Sequence, residues 1–350
     1  MSVGVALDPF TLVDHLRRAA GRCLDALGLG PAATPARTLA AGPAWELLGY
    51  ATDGRGPALL LVPAPIKRAY LWDLAPAASV VRGALARGLR VHLLRWTDPR
   101  PEHRDLGLAH YAHDALSAAV DGIAAAAGAE RVVLAGHSLG GTLAAIFAAL
   151  RPERVRGLVL VEAPLCFRTG ALAPLAALAP LARRLADLLG CVPGSLLGLV
   201  AVAAAPDEFL WRRWGDVLMS ALTPGALPLH WRVERWALDE CALPGRLVAD
   251  VLEALYAEDR FARGTLELSG RRAGPRTLTA PVLAVVDPGS RLVPLLAVLP
   301  VLAAAASAER TVLFHRPEPG TALGHVAALV GPAAHAHLWP RILDTIARWP

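Results

Sequence analysis

The run Leu134-Ala135-Gly136-His137-Ser138-Leu139-Gly140-Gly141 decides how this 350-residue chain is read. It holds a G-x-S-x-G pattern directly after the apolar stretch Arg131 to Ala135 and directly before a helical pattern. Strand, sharp turn and helix in that order turn a short pattern into a nucleophile elbow. Gly136 and Gly140 leave space for a strained turn that pushes the Ser138 hydroxyl out over the sheet edge. The helix that follows aims its first N–H groups at any negative charge developing there. The plainer alternative is a Gly-rich turn in a sheet without chemistry.

Outward from the elbow, short apolar runs alternate with helical patterns. Leu59 to Val62 ends at a turn containing Pro63 and Pro65, and Val91 to Leu94 follows Gly88. Leu158 to Val161, Val282 to Val286 and Thr311 to Phe314 continue the series. Strands alternating with helices imply right-handed crossovers and a mainly parallel, doubly wound sheet. Residues 10 to 28 have apolar positions at helical spacing, closed by Gly28, and the Pro/Gly/Ala-rich stretch 29 to 44 reads as a linker. The gap between Val161 and Val282 is too long for one connection and holds helical patterns with Trp211, Trp214, Trp231 and Trp236. The expected organisation is therefore an N-terminal helix and linker at 1–44, a core at 45–164 and 271–350, and a helical cap at 165–270. Leu188 to Ala205 carries no charge and approaches the length of a membrane span, but Gly190, Pro193, Gly194 and Gly198 interrupt it. A cap segment fits better than a spanning helix.

An elbow serine needs a base, an acid and two oxyanion donors. His325, in Ala322-Leu323-Gly324-His325-Val326, follows the last expected strand and precedes the final helix, where the order Ser…acid…His puts the base. His315, at a strand end, is its one rival. Two carboxylates compete for the acid. Asp287 ends the strand Val282 to Val286, and Glu162 ends the strand Leu158 to Val161 ahead of Ala163-Pro164. A Glu between apolar neighbours is costly to bury without a partner, and a salt bridge to a cap arginine would supply one. The amide of Leu139 is the first oxyanion donor by position. Pro63 and Pro65 have no N–H, so the second falls to Ala64 or Ile66, with Ile66 preferred. Nucleophile, acid and base in this order on such a sheet describe the α/β-hydrolase fold.

Bulk composition closes off other classes. A hydrophobic content of 55% with 19% charged residues excludes a disordered chain. The net charge of +5 is almost wholly arginine, because Lys67 is the one lysine, and no basic run is interleaved with aromatics, which sets nucleic-acid binding aside. Cys23, Cys166, Cys191 and Cys241 are scattered, so neither a disulfide framework nor a metal site is indicated, and no cofactor is expected. Asp8, Asp14, His15, Arg17 and Arg18 are wrong for a signal peptide, so a cytoplasmic location is expected.

Further stretches carry a resemblance. Val62-Pro63-Ala64-Pro65-Ile66 leads to Tyr70, then come Asp73-Leu74, Pro76, Ser79-Val80-Val81 and Trp96-Thr97-Asp98-Pro99. The elbow continues into Gly140-Gly141-Thr142, and Trp236, Asp239, Pro244-Gly245 and Gly324-His325-Val326 follow. Over roughly 55 to 345 the chain resembles the polyhydroxyalkanoate (poly-3-hydroxybutyrate) synthase family, of a length like its shorter members. The resemblance implies an acyl ester or acyl-CoA substrate, a polyester granule surface as partner, and room for a homodimer. Two departures stand out. The family's elbow nucleophile is Cys where this chain has Ser138, and its acid position falls on Ser290. A Cys thioester keeps a growing chain activated for transfer to a hydroxyl, whereas a Ser oxyester is less activated. The expected function is a serine acyl hydrolase or acyltransferase acting on (3-hydroxy)acyl esters or thioesters through an acyl-enzyme. A true polyester synthase and a non-catalytic granule or scaffold protein are the alternatives.

Overall fold

The computed structural model describes residues 9–318 and 323–349. Its main sheet is built from β1 (Ala36–Gly42), β2 (Trp45–Tyr50), β3 (Ala58–Val62), β4 (Arg90–Trp96), β5 (Val132–His137), β6 (Val155–Val161), β7 (Val282–Val286) and β8 (Arg310–Phe314). In space the order is β1-β2-β4-β3-β5-β6-β7-β8. β1 and β2 are antiparallel, β2 runs antiparallel to β4, and every pairing from β4 to β8 is parallel. This is the α/β-hydrolase architecture that the alternation of strands and helices predicted.

The central strands are apolar without a break because both faces are covered. In β3, Leu60 and Val62 enter one core while Leu59 and Leu61 enter the other. In β7, Ala284 and Val286 face the first core and Leu283 and Val285 the second. Each fully buried Leu or Val contributes roughly 1.5–3 kcal/mol, so these strands anchor the molecule. Helices α1 (Pro9–Ala26), α2 (Val80–Ala86), α3 (Ala115–Ala127) and α4 (Leu139–Leu150) precede the long connection from β6 to β7. That connection carries α5 (Ala179–Leu189), α6 (Gly194–Ala204), α7 (Arg212–Leu222), α8 (Leu227–Ala237) and α9 (Gly245–Asp250). Helices α10 (Leu299–Ala304), α11 (Ala327–Val330) and α12 (Trp339–Arg348) complete the chain. Leu143 and Phe147 of α4 lie in the first core, and Trp339 and Ile342 of α12 in the second, which makes three layers.

The stretch 29–44, expected as a linker, contains edge strand β1. Its sequence ARTLAAG is poor in strand formers and mostly solvent-facing, so pairing with β2 rather than its own pattern makes it a strand. β2 also went unread, since WELLGY lacks clean alternation. Helix α1 does not stand apart from the later insertion. Its Asp14 carboxylate accepts the N–H groups of Gly194 (3.0 Å) and Ser195 (2.7 Å), the first residues of α6. A carboxylate at a helix start satisfies donors that have no partner in the helix. The uncharged stretch 188–205 is broken at Gly190 and Pro193 into the end of α5 and α6. Among the described residues no single helix is long and apolar enough to cross a membrane, and α6 with residues 207–222 forms a pair bent by 109°.

Candidate active site

The end of β5 runs into α4 through one residue, Ser138, whose φ of 54° and ψ of −133° lie outside the ordinary regions for a side-chain-bearing residue. Its N–H donates to the Val161 carbonyl on β6 (3.0 Å), and its own carbonyl accepts from Gly141 (2.9 Å) and Thr142 (3.2 Å). The turn closes only because its flanks lack side chains. A Cβ on Gly136 would stand 2.5 Å from Gly141 Cα, and one on Gly140 would stand 2.3 Å from the Val62 carbonyl oxygen. The second clash shows how tightly the loop after β3 lies against the elbow. Leu139 is the first residue of α4, so its N–H has no acceptor within the helix.

Ala64 and Ile66 lie on that loop, both half-buried. The loop is held from above by the end of α8. Cys241 N–H donates to the Ile66 carbonyl (2.9 Å), Trp236 Nε1 to the Arg68 carbonyl (2.8 Å), and Lys67 Nζ to the Ala237 carbonyl (2.7 Å) and Glu240 Oε1 (2.8 Å). From below, Trp96 Nε1 donates to the Pro63 carbonyl (2.8 Å). The motif residues Trp96 and Trp236 thus fix the loop's position. Asp73 and Ser79, also in the motif set, bond each other and are buried away from the elbow loop's clamps.

His325 lies in a single turn, Gly324–Val326, and reaches the elbow through His137. The two rings are 4.7 Å apart, and His137 Nε2 lies 3.0 Å from the His325 carbonyl. A carbonyl only accepts, so this nitrogen carries the proton. Burial pushes the His137 pKa down to about 4, and burial together with His137 holds His325 well below the usual imidazole range.

Of the two candidate carboxylates, the structure brings Glu162 to His325. Glu162 Oε2 stands 4.0 Å from His325 Nδ1, and both atoms are buried with no hydrogen-bond partner among the described residues. At 4.0 Å they do not hydrogen-bond, and each is the other's nearest recorded polar counterpart. Glu162 has a φ of 45°, and its N–H donates to the Val285 carbonyl (3.0 Å). Its Oε1 accepts the Asp287 N–H, and the nearby Ser290 side chain also favours the ionised carboxyl. Burial, only partly offset by these contacts, raises the Glu162 pKa to about 8. Asp287 offers its backbone, while its own carboxylate accepts from Gly289 N–H (2.8 Å) in a local turn. Ser290, on which the acid position of the resembled family falls, therefore sits against the carboxylate supplied by the neighbouring strand.

The salt bridge to a cap arginine expected as an alternative role for Glu162 is not among its contacts, since its acidic oxygen faces His325. His315, the rival base, follows β8, with Asp287 and Glu318 as its charged neighbours. Three of the four cysteines are engaged elsewhere, Cys166 with Asp259 (3.1 Å), Cys191 with the Arg100 carbonyl (3.7 Å) and Cys241 buried beside Arg68, and Cys23 is exposed on α1. Among the described residues no group of three or more His, Cys, Asp or Glu side chains is arranged to hold a metal. Sequence reasoning missed the roles of His137, Lys67, Trp236 and Asp216. The last of these accepts the Leu323 N–H (3.1 Å) from α7.

Residues 84–214 match the family model described as alpha/beta hydrolase fold. The chain is 28% identical over 300 residues to the poly(3-hydroxyalkanoate) polymerase subunit PhaC of Haloferax mediterranei, covering 83% of this chain and 58% of that one. It is 28% identical over 237 residues to the subunit of the same name from Allochromatium vinosum, covering 67% of each. The chain thus spans little more than half the length of the first of these relatives. Among solved structures, monoacylglycerol lipase of Paleococcus ferrophilus superposes with a TM-score of 0.56 at 15% identity, covering 87% of this chain and 98% of that one. Naproxen esterase of Bacillus subtilis superposes with a TM-score of 0.53 at 14% identity, covering 95% and 98%. The chain has the α/β-hydrolase fold and is similar in sequence to the poly(3-hydroxyalkanoate) polymerase subunits.

Proposed function

We propose that the protein is a serine acyl hydrolase or acyltransferase that acts on (3-hydroxy)acyl esters or thioesters through an acyl-enzyme. Ser138 Oγ attacks the acyl carbonyl while His325 Nε2 takes its proton. Glu162 orients the ring through Nδ1 and carries the countercharge as imidazolium forms. The Leu139 and Ile66 amides donate to the oxyanion. When the tetrahedral intermediate collapses, the bond to the alcohol or thiol breaks and His325 returns the proton to that group. Water, or one acceptor hydroxyl, then adds to the acyl carbon with His325 as base, and Ser138 leaves as the free hydroxyl. The insertion between β6 and β7 acts as the cap over an acyl chain. A cytoplasmic setting at a polyester granule surface, with the chain as a homodimer, belongs to the same reading.

One observation carries this proposal: Ser138 holds a positive φ at the β5–α4 junction, and the His325 ring, packed on the neighbouring His137, faces a buried carboxyl whose Oε2 has no other partner among the described residues. Serine, where the resembled family carries cysteine, favours hydrolysis or single transfer because the oxyester is less activated. The sequence similarity to polymerase subunits supports a second reading, chain growth from a hydroxyacyl-CoA. Labelling with a fluorophosphonate probe tests the site. Wild type labels, Ser138→Ala does not, Glu162→Gln labels at a rate lower by on the order of 10²-fold or more, and Asp287→Asn stays within about twofold. Full-rate labelling of Glu162→Gln would remove Glu162 from the mechanism. With a 3-hydroxyacyl-CoA, free acid appearing with the thiol selects hydrolysis, and polymer selects chain growth.

A further inference from the structure

Helix α7 presents itself the wrong way round. A surface helix ordinarily turns its apolar stripe inward. Here Trp211, Trp214, Leu218 and Leu222, which recur at helical spacing, are each more than 60% exposed. Two of its three charged side chains, Arg213 and Asp216, point into the molecule instead. Arg213 Nε bonds both oxygens of Glu234 on α8 (2.8 and 2.9 Å), and half-buried Asp216 accepts the Leu323 N–H (3.1 Å). Exposing four large apolar groups costs burial energy, so the polar contacts that fix this orientation have a role that the apolar stripe would have displaced.

The Asp216 contact lands two residues before His325. Leu323 has a φ of 53°, a left-handed conformation that costs a non-glycine residue on the order of 1 kcal/mol or more and persists only where surroundings impose it. The turn that carries the base is thus gripped on two sides: His137 holds the His325 carbonyl from the elbow, and Asp216 holds the strained residue before it from α7. Resting on the acyl-transfer reading above, we infer that Asp216 is a positioning residue for His325. Its carboxylate fixes the Leu323 N–H and so keeps the half-buried imidazole turned toward Ser138 and Glu162. The charges around Asp216 are Arg212 on its own helix, Glu208 in the preceding turn and Glu234 on α8. The positioning runs through the hydrogen bond rather than through net charge, since an amide oxygen at the same place accepts the same N–H.

Two variants and a control separate this from simple support of the fold. Asp216→Asn keeps an acceptor and labels with the fluorophosphonate within about twofold of wild type. Asp216→Ala removes it and labels about 10- to 100-fold more slowly, the loss that ångström-scale misplacement of a reacting group produces. Leu218→Gln, on the exposed face of the same helix, labels like wild type. The distinguishing readout is the titration of the His325 imidazole, followed by NMR in the full chain. In Asp216→Ala the loosened turn leaves the ring more open to water and its pKa rises toward the ordinary 6.5, whereas Asp216→Asn leaves it low. Asp216→Ala labelling at the wild-type rate, or losing rate with an unmoved His325 titration and a matching fall in Tm, overturns the inference. Equal damage from Asn and Ala also overturns it. Labelling that survives Ser138→Ala instead refutes the acyl-transfer reading on which it rests.

Discussion

Glu162 is 3% exposed, and its pKa is raised from the ordinary 4.5 to about 8. A carboxyl whose folded-state pKa is raised stabilises the fold fully below 4.5, and that contribution is lost as pH climbs through 8. The neighbouring His137, depressed to about 4, works the other way: its contribution is present above 6.5 and is lost as pH falls through 4. Thermal melts from pH 5 to 9 are therefore expected to show stability falling on the alkaline side, and Glu162→Gln is expected to flatten that limb while leaving the acid limb in place. Each tenfold change in proton affinity between the folded and unfolded chain is worth about 1.4 kcal/mol, which is large enough to read in Tm. The same pKa governs the rate profile. Glu162 is largely protonated at pH 7, so labelling rises as pH approaches 8, and a profile flat from 6 to 9 would contradict its role as countercharge.

At the scale of elements, the elbow depends on how closely α4 and the β3 loop can approach. Gly140→Ala places a methyl 2.3–2.4 Å from the Val62 and Pro63 backbone, which must shift. A cost of about 1–3 kcal/mol in urea unfolding follows, with loss of labelling as the Ile66 amide moves off its position. Helix α7 behaves oppositely. Leu218→Gln together with Leu222→Gln alters only exposed side chains, 61% and 69% accessible, so unfolding free energy stays within about 0.5 kcal/mol for each. A larger loss would mean that this face is covered in the folded protein.

For the molecule as a whole, the N-terminal helix belongs to the site's scaffold. Arg235 on α8 bonds Asp25 of α1 through Nε (2.7 Å) and Nη2 (2.8 Å), and Asp239 through Nη1 (2.9 Å), while its guanidinium lies 5.7 Å from the Tyr70 ring centroid. Arg232 donates to the Gly28 carbonyl (2.8 Å), and Arg17 donates to the Ala237 carbonyl (3.0 Å). Helix α8 in turn clamps the loop that carries Ile66. Arg235→Leu is expected to cost about 1–3 kcal/mol, since hydrogen bonds to charged groups are lost and Asp239 keeps only part of its compensation. It is also expected to slow labelling, which removal of a purely peripheral helix tie would not do.

The α/β-hydrolase fold, with Ser138 at the elbow and His325 before the last helices, was legible in the chain because those features are local: a strand–turn–helix junction, a short motif and an order along the sequence. Strands β3, β5, β6 and β7 were legible for the same reason, as short apolar runs buried on both faces, and β4 and edge strand β8 through the shorter apolar stretches they carry. Which carboxyl faces His325 was not, because Glu162 and Asp287 end adjacent parallel strands and look alike in sequence. Only the pairing of β6 with β7, together with the turn that ties Asp287 to Gly289, sends one carboxyl to His325 and leaves the other to offer its backbone. Edge strand β1, the clamp of α8 on the Ile66 loop and the grip of Asp216 on Leu323 were likewise decided by tertiary structure. Each joins segments far apart in the chain, and long-range contacts leave no periodic trace in sequence.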